Sequence, residues 1–196
     1  MKSFLTSILC LLLLTGCLTL EQNMRFKDDG SLVVNYTCSY PVEQEAAIQA
    51  AIEELLARKG GPKASFIDKL SAEAFYAERG AELTFHRKHL HDGTATIQMM
   101  VIARQTTRAI ALGAFGEMSL KPIDDKVRLD IPLPAISKEL KTRAQTLCKG
   151  FETTLTIETP GKLIKHNGKL LAANKVSWTL KLDDTPPREL FAEWSE

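Results

Sequence analysis

The segment AELTFHRKHLHDGTATIQMMVIA, residues 81–103, reads as two strands joined by a tight turn. Asp92-Gly93 supplies the turn, because the favoured two-residue hairpin loop needs positive φ at both central positions. After it, Ala95, Ile97, Met99 and Val101 alternate with polar or bulkier neighbours, the period of a strand with one buried face. One strand is expected at about 81–90 and its return at 94–103, necessarily antiparallel.

Upstream, Gly80 stops a helical stretch over roughly 66–79, where Phe66, Ile67, Leu70, Ala74 and Ala77 recur at helical spacing. Before it, Pro41 opens a helix to about Lys59 with the stripe Ile48, Ile52, Leu55 and Leu56, ended by Gly60-Gly61. A strand at 31–39 places Leu32, Val34, Tyr36 and Cys38 on one face. Residues 18–30 are polar and end in Asp28-Asp29-Gly30, the composition of a short tether with a turn or strand start.

Downstream, residues 104–115 read as helical, with Ile110, Ala111 and Ala114 inward. A second hairpin pairs 117–121 with 126–131, and Pro134 starts a helix to about Lys149 carrying Ile136, Leu140, Ala144 and Leu147. Phe151, Thr153, Leu155 and Ile157 alternate as the inner face of a strand. Pro160-Gly161 turns the chain, and Asn167-Gly168 is a hairpin-turn signal. A last strand at 174–182 directs Val176, Trp178, Leu180 and Leu182 inward, and Pro186-Pro187 begins a terminal helix with Leu190, Phe191 and Trp194. Hairpins outnumber crossovers, so the expected fold class is α+β, a mainly antiparallel sheet with amphipathic helices packed on one face.

Length and composition bound the function. The 196 residues suit one domain, and 44% hydrophobic with 25% charged residues is globular composition. Twenty-five Lys and Arg nearly cancel 24 Asp and Glu, which leaves no field to gather nucleic acid.

The first residues have a separate role. Lys2 precedes the apolar run Phe4, Leu5, Ile8, Leu9, Cys10 and Leu11–Leu14, of signal-peptide length and too short to span a bilayer. Leu14-Thr15-Gly16-Cys17, at the end of that run, resembles the lipobox of bacterial lipoprotein signal peptides. The resemblance implies a diacylglyceryl thioether on Cys17, cleavage between Gly16 and Cys17, and acylation (palmitate in kind) of the new amine. Each buried methylene contributes ~0.8 kcal/mol, so two or three acyl chains anchor the protein durably. The alternative is an ordinary signal peptide or an unmodified thiol. Processing removes Lys2 and no acid, so the remaining side-chain charges balance and attachment rests on lipid alone. The organisation expected is a leader at 1–16, a lipidated tether at 17–30 and one α+β domain at 31–196. Leu18, not Asp, follows Cys17, which by family rules favours an outer membrane, facing the periplasm, if the cell has two membranes.

Two thiols remain after export, Cys38 and Cys148, in an oxidising compartment. Either they are bridged, closing a loop of about 110 residues that stabilises by roughly 4–5 kcal/mol, or they are buried separately.

Catalytic and metal signals are weak. His89 and His91 share a strand face beside Asp92, but His86 falls on the other, so no metal site is expected. Phosphate loops, nucleophile elbows and zincin helices do not appear, and no cofactor is implied. His166 has no sequence link to Ser137 or Ser177. The acid pairs Glu53-Glu54, Asp124-Asp125 and Asp183-Asp184 fit solvated turns and helix faces. Trp178 and Trp194 read as core; their alternative is the lining of an apolar cavity between sheet and helices.

Thr159-Pro160-Gly161-Lys162, His166-Asn167-Gly168 and Asn174-Lys175-Val176-Ser177-Trp178, with Asp29-Gly30-Ser31 ahead of the strand at 31–39, resemble the periplasmic domain of LppM-like bacterial lipoproteins. That resemblance implies an α/β build likened to lipid-binding proteins. No long apolar run stands in this chain where that family commonly carries a C-terminal transmembrane helix. The function expected is therefore a non-enzymatic envelope lipoprotein, attached to the membrane through Cys17, whose domain binds a lipid or hydrophobic small molecule. The alternative is a scaffold or assembly lipoprotein that holds another envelope protein.

Overall fold

The computed structural model describes residues 18–50, 66–133, 152–181, 184–185 and 187–195. The fold is α+β, as expected. A seven-stranded sheet has the order β3-β4-β2-β1-β7-β10-β9, and a four-stranded sheet the order β5-β6-β11-β8. The strands are β1 Thr19–Phe26, β2 Leu32–Pro41, β3 Glu82–His91, β4 Thr94–Ala103, β5 Ser119–Ile123, β6 Lys126–Pro132, β7 Glu152–Glu158, β8 Leu163–His166, β9 Lys169–Ala172, β10 Lys175–Lys181 and β11 Glu189–Ser195. Their pairings are antiparallel except β1 with β7, which is parallel. Helix α1 spans Lys69–Glu78 and α2 spans Thr106–Ala111; residues 45–50 are also helical, and the rest of the expected helix to Lys59 lies outside the described residues.

Both hairpins form, the second with its first strand at Ser119–Ile123 where 117–121 is expected. Asp92 and Gly93 have φ of 46° and 72°, as the tight turn between β3 and β4 requires. Ala95, Ile97, Met99, Val101 and Ala103 are buried along β4. The opposite face of the large sheet is polar except around Val33, Met100 and Ile102. Thr154 and Thr179, Thr156 and Ser177, and Ser39 and Thr96 form cross-strand hydroxyl pairs, and Arg25 bridges Glu158 at 3.0 Å.

The inner face is covered by α1, α2 and the second sheet together. Met24, Phe26, Leu32 and Val34 of the large sheet share one core with Leu129 of β6, Leu190 and Trp194 of β11, and Tyr76 of α1. The rings of Phe26 and Trp194 meet across the two sheets at 5.3 Å.

Four expectations change. Residues 18–30 are not a simple tether, since β1 occupies Thr19–Phe26 between β2 and β7. Leu20, Met24 and Phe26 do alternate there, but Gln22 and the polar outer residues Glu21, Asn23 and Arg25 give the segment a tether's composition. The terminal helix is instead strand β11, with Leu190, Ala192 and Trp194 buried on one face. Leu190 and Trp194, four apart, fit both periods, while Phe191 shares their face only in a helix; pairing with β6 and β8 settles the choice. Asn167-Gly168 does not join a hairpin; it carries the chain from β8 in one sheet to β9 in the other. On α1 the buried face is Ala72, Phe75 and Tyr76, while Leu70 is 74% exposed and Ala74 and Ala77 face solvent. Ala111 of α2 is likewise exposed. The leader, Gly16, Cys17, the expected helix over 134–149 and Cys148 lie outside the described residues. Among the described residues, no helix is long and apolar enough to cross a membrane.

Candidate functional site

The inner face of the large sheet divides into two zones. Toward the end of β1 at Phe26, the side chains are fully buried beneath the second sheet. Toward its start, Leu20, Gln22, Tyr36, Cys38, Leu155 and Leu180 are only half-buried. Registry makes them one strip: Leu20 opposes Cys38, Gln22 opposes Tyr36 and Leu155, and Thr153 opposes Leu180. On β1, β2, β7 and β10 no inner-facing position holds a carboxylate or basic side chain. The strip is thus an uncharged apolar surface with a few hydrogen-bonding groups.

Those groups centre on two phenols. The Gln22 amide donates to the Tyr36 hydroxyl at 3.4 Å, and Tyr36 is hydrogen-bonded to Tyr76 of α1, the rings 6.5 Å apart. Burial raises the Tyr36 phenol well above its ordinary value, with the neighbouring Tyr76 oxygen adding to it. Burial also pushes Tyr76 up to about 12, against a smaller lowering by the bond from Tyr36. Both stay neutral at physiological pH.

An alkaline titration reads this out. An unfolded phenol ionises near 10, whereas folded Tyr76 keeps its proton to about 12. Stability is whole below pH 10 and falls through that window, by roughly 2–3 kcal/mol for this residue. Urea unfolding of Tyr76→Phe should show a flatter alkaline decline than the parent chain. Identical declines would mean that Tyr76 titrates normally.

A second cluster lies at the hairpin side. The Lys88 ammonium contacts both Glu45 carboxylate oxygens at 2.6 and 2.7 Å, and the Tyr40 hydroxyl donates to Glu45 at 3.2 Å. The Gln44 side-chain oxygen beside it is buried with no hydrogen-bond partner among the described residues.

The residues singled out in the sequence scatter. His86 turns inward and its Nε2 donates to the Phe66 carbonyl at 3.0 Å, while His91 stands at the exposed tip, 3.2 Å from Asp92. His166 Nδ1 donates to the Gly168 carbonyl and Ser177 to the Leu155 carbonyl. Asp124 and Asp125 occupy the exposed β5–β6 turn; Ser137, Glu53 and Glu54 lie outside the described residues. Among the described residues no group of three metal-ligating side chains comes together. Trp178 and Trp194 are core, 6% and 2% exposed. Cys38 is half-buried on the strip; Cys148, its candidate partner, lies outside the described residues. An open depression of about 500 Å³ lined by Gly30, Gln105, Thr106, Thr107, Arg108 and Ala111 sits elsewhere, beside α2. Leu20 and Gln22 escaped the sequence reading because they sat in the supposed tether; the alternation Leu20, Met24, Phe26 was the signal that could have found them.

No family model and no curated protein matches the chain. Among solved structures it is similar to the folded domain of the Mycobacterium tuberculosis LppM protein, determined by NMR, with a TM-score of 0.55 and 13% identity over 91% of this chain and 89% of that one. The likeness is one of fold, and it extends well beyond the short stretches that carry the resemblance in sequence.

Proposed function

We propose that this chain is a bacterial cell-envelope protein anchored by a diacylglyceryl thioether on Cys17. Its domain is a non-catalytic module that binds a lipid or other hydrophobic molecule. The lipobox Leu14–Cys17 supports the anchor. The observation that carries the binding reading is the strip Leu20, Gln22, Tyr36, Cys38, Leu155 and Leu180, uncharged and mostly apolar yet only partly covered on the core side of the sheet. Such a surface gains from covering by hydrocarbon, and the Gln22–Tyr36–Tyr76 groups can receive one polar end.

The test is native mass spectrometry and solvent extraction of a chain beginning at Leu18 and made without the leader. A bound amphiphile that competes with a hydrophobic dye is the expected result. Leu155→Glu should lose that amphiphile and keep its far-UV spectrum. Repeated recovery of empty protein, with no dye bound, overturns the reading.

The alternative, a scaffold for another envelope protein, is favoured by edge strand β9, where Leu170 and Leu171 are 52% and 51% exposed. It calls instead for one dominant crosslinked partner in intact cells, lost on Leu171→Lys.

A further inference from the structure

We infer that the end of the large sheet where β1 begins rests directly on the lipid bilayer, with the β3–β4 hairpin tip in the headgroup layer. The inference deepens the proposed anchoring and rests on lipidation of Cys17. It follows from how little chain separates that residue from the fold. The Leu18 carbonyl already accepts a hydrogen bond from the Glu152 backbone at 3.1 Å. Thr19 is paired on both sides, with Ser39 and with Glu152. A single peptide bond therefore joins Cys17 to a residue fixed to the sheet. A protein on a long tether can tumble above its membrane; this one has no slack in which to do so.

The ladder then says what else reaches the membrane. Thr19, Ser39, Thr96 and His89 lie on one rung across β1, β2, β4 and β3. Beyond that rung the hairpin continues through Leu90 opposite Ala95 and His91 opposite Thr94, to the turn at Asp92-Gly93. Three further residues carry the tip about 10 Å past the start of β1, and β4 stands about 10 Å to its side. The tip is thus beside the anchor and projects beyond it.

Its chemistry suits an interface of lipid and water. Leu90 is 66% exposed and Val42 40% exposed, and the Val42 N–H donates to the Gly93 carbonyl at 2.9 Å, which braces the turn. Lys88 pairs with Glu45 and Lys181 with Glu152, and His91 lies 3.2 Å from Asp92. The other exposed charges nearest the tip, Glu43 and Arg87, are of opposite sign, so the exposed leucine enters a headgroup layer with little net charge around it. The opposite end of β1, the turn at Asp28-Asp29-Gly30, is acidic and roughly 26 Å away along the strand.

The experiment uses the processed, lipidated protein in vesicles of phosphatidylethanolamine and phosphatidylglycerol, with and without brominated acyl chains. Native Trp178 and Trp194 are buried and give a constant background. Leu90→Trp should shift to the blue and lose most of its added emission to the brominated lipid; Val42→Trp should behave in the same way, and Asp28→Trp should do neither. Intact mass on the same samples reports acylation of Cys17. Acylated protein with no quenching at 90 and 42, or with equal quenching at 28, overturns the orientation and leaves the anchor standing. Vesicle-bound protein without acyl chains on Cys17 overturns the anchor and the orientation with it.

Discussion

A chain shortened to begin at Ser31, the domain boundary expected from composition, should fail to fold. The missing piece is β1, which lies in the middle of the seven-stranded sheet. It pairs with β2 from Thr19 to Phe26 and with β7 from Thr19 to Arg25. Its loss leaves two interior edges without partners for their backbone groups, each a destabilising exposure or a template for aggregation. It also removes Met24 and Phe26, 1% and 6% exposed, and Phe26 is the ring that meets Trp194 of the second sheet. Burying each such side chain contributes about 1.5–3 kcal/mol, against a whole-domain stability of about 5–15 kcal/mol. Strands β7, β10 and β9 join the rest of the large sheet through β1, so the defect separates the sheet into two parts. The measurement is thermal unfolding followed by circular dichroism. A chain beginning at Leu18 should melt cooperatively and one beginning at Ser31 should show no transition. A cooperative melt of the shorter chain at a similar temperature would mean that β1 is dispensable.

Where local chemistry specifies an element, the element is readable in the sequence. The β3–β4 hairpin is set by Asp92-Gly93 and by alternation along β4, and needs no distant partner to be recognised. The errors arise where the partner decides. The α1 helix carries two overlapping stripes, and only the sheet beneath it selects Phe75 and Tyr76 over Leu70 and Ala74. Glu189–Ser195 fits helix and strand periods equally until β6 and β8 are placed on either side. Asn167-Gly168 does bend the chain between two strands, but a turn signal does not state which strand comes next to which. The candidate site was half legible for the same reason. Tyr36, Cys38, Leu155 and Leu180 read as inward strand residues. Gln22 and the pairing of Tyr36 with Tyr76, forty residues apart, require the assembled sheet.

Gly168→Ala should be among the most damaging single methyl additions in the chain. A Cβ there would lie 2.6 Å from Trp178 Cε2, 2.7 Å from its Nε1 and 2.8 Å from the Ser177 carbonyl oxygen. Neither neighbour can retreat easily. The Ser177 oxygen is strand backbone, and the Trp178 indole is buried and held by Asn167, whose side-chain oxygen accepts from Trp178 Nε1 at 2.9 Å. That same oxygen accepts from the Phe191 N–H at 3.0 Å, and the Asn167 amide donates to the Glu189 carbonyl at 2.8 Å. One asparagine thus ties β10 of the large sheet to β11 of the small one, and the glycine after it leaves room for the indole. Overpacking costs about 1–3 kcal/mol, and a buried donor set adrift a further 1–3 kcal/mol. A loss of about 3 kcal/mol should lower Tm by roughly 6–12 °C in a domain of this size. Gly93→Ala is the control for backbone strain alone: its φ is 72°, but nothing lies within 4 Å of the added carbon. It should cost clearly less than Gly168→Ala. If the wedge acts by pushing Trp178 off Asn167, then Asn167→Ala and Gly168→Ala together should cost less than their sum, because each breaks the same contact. Full additivity would place the damage at the Ser177 backbone and remove the indole from the explanation.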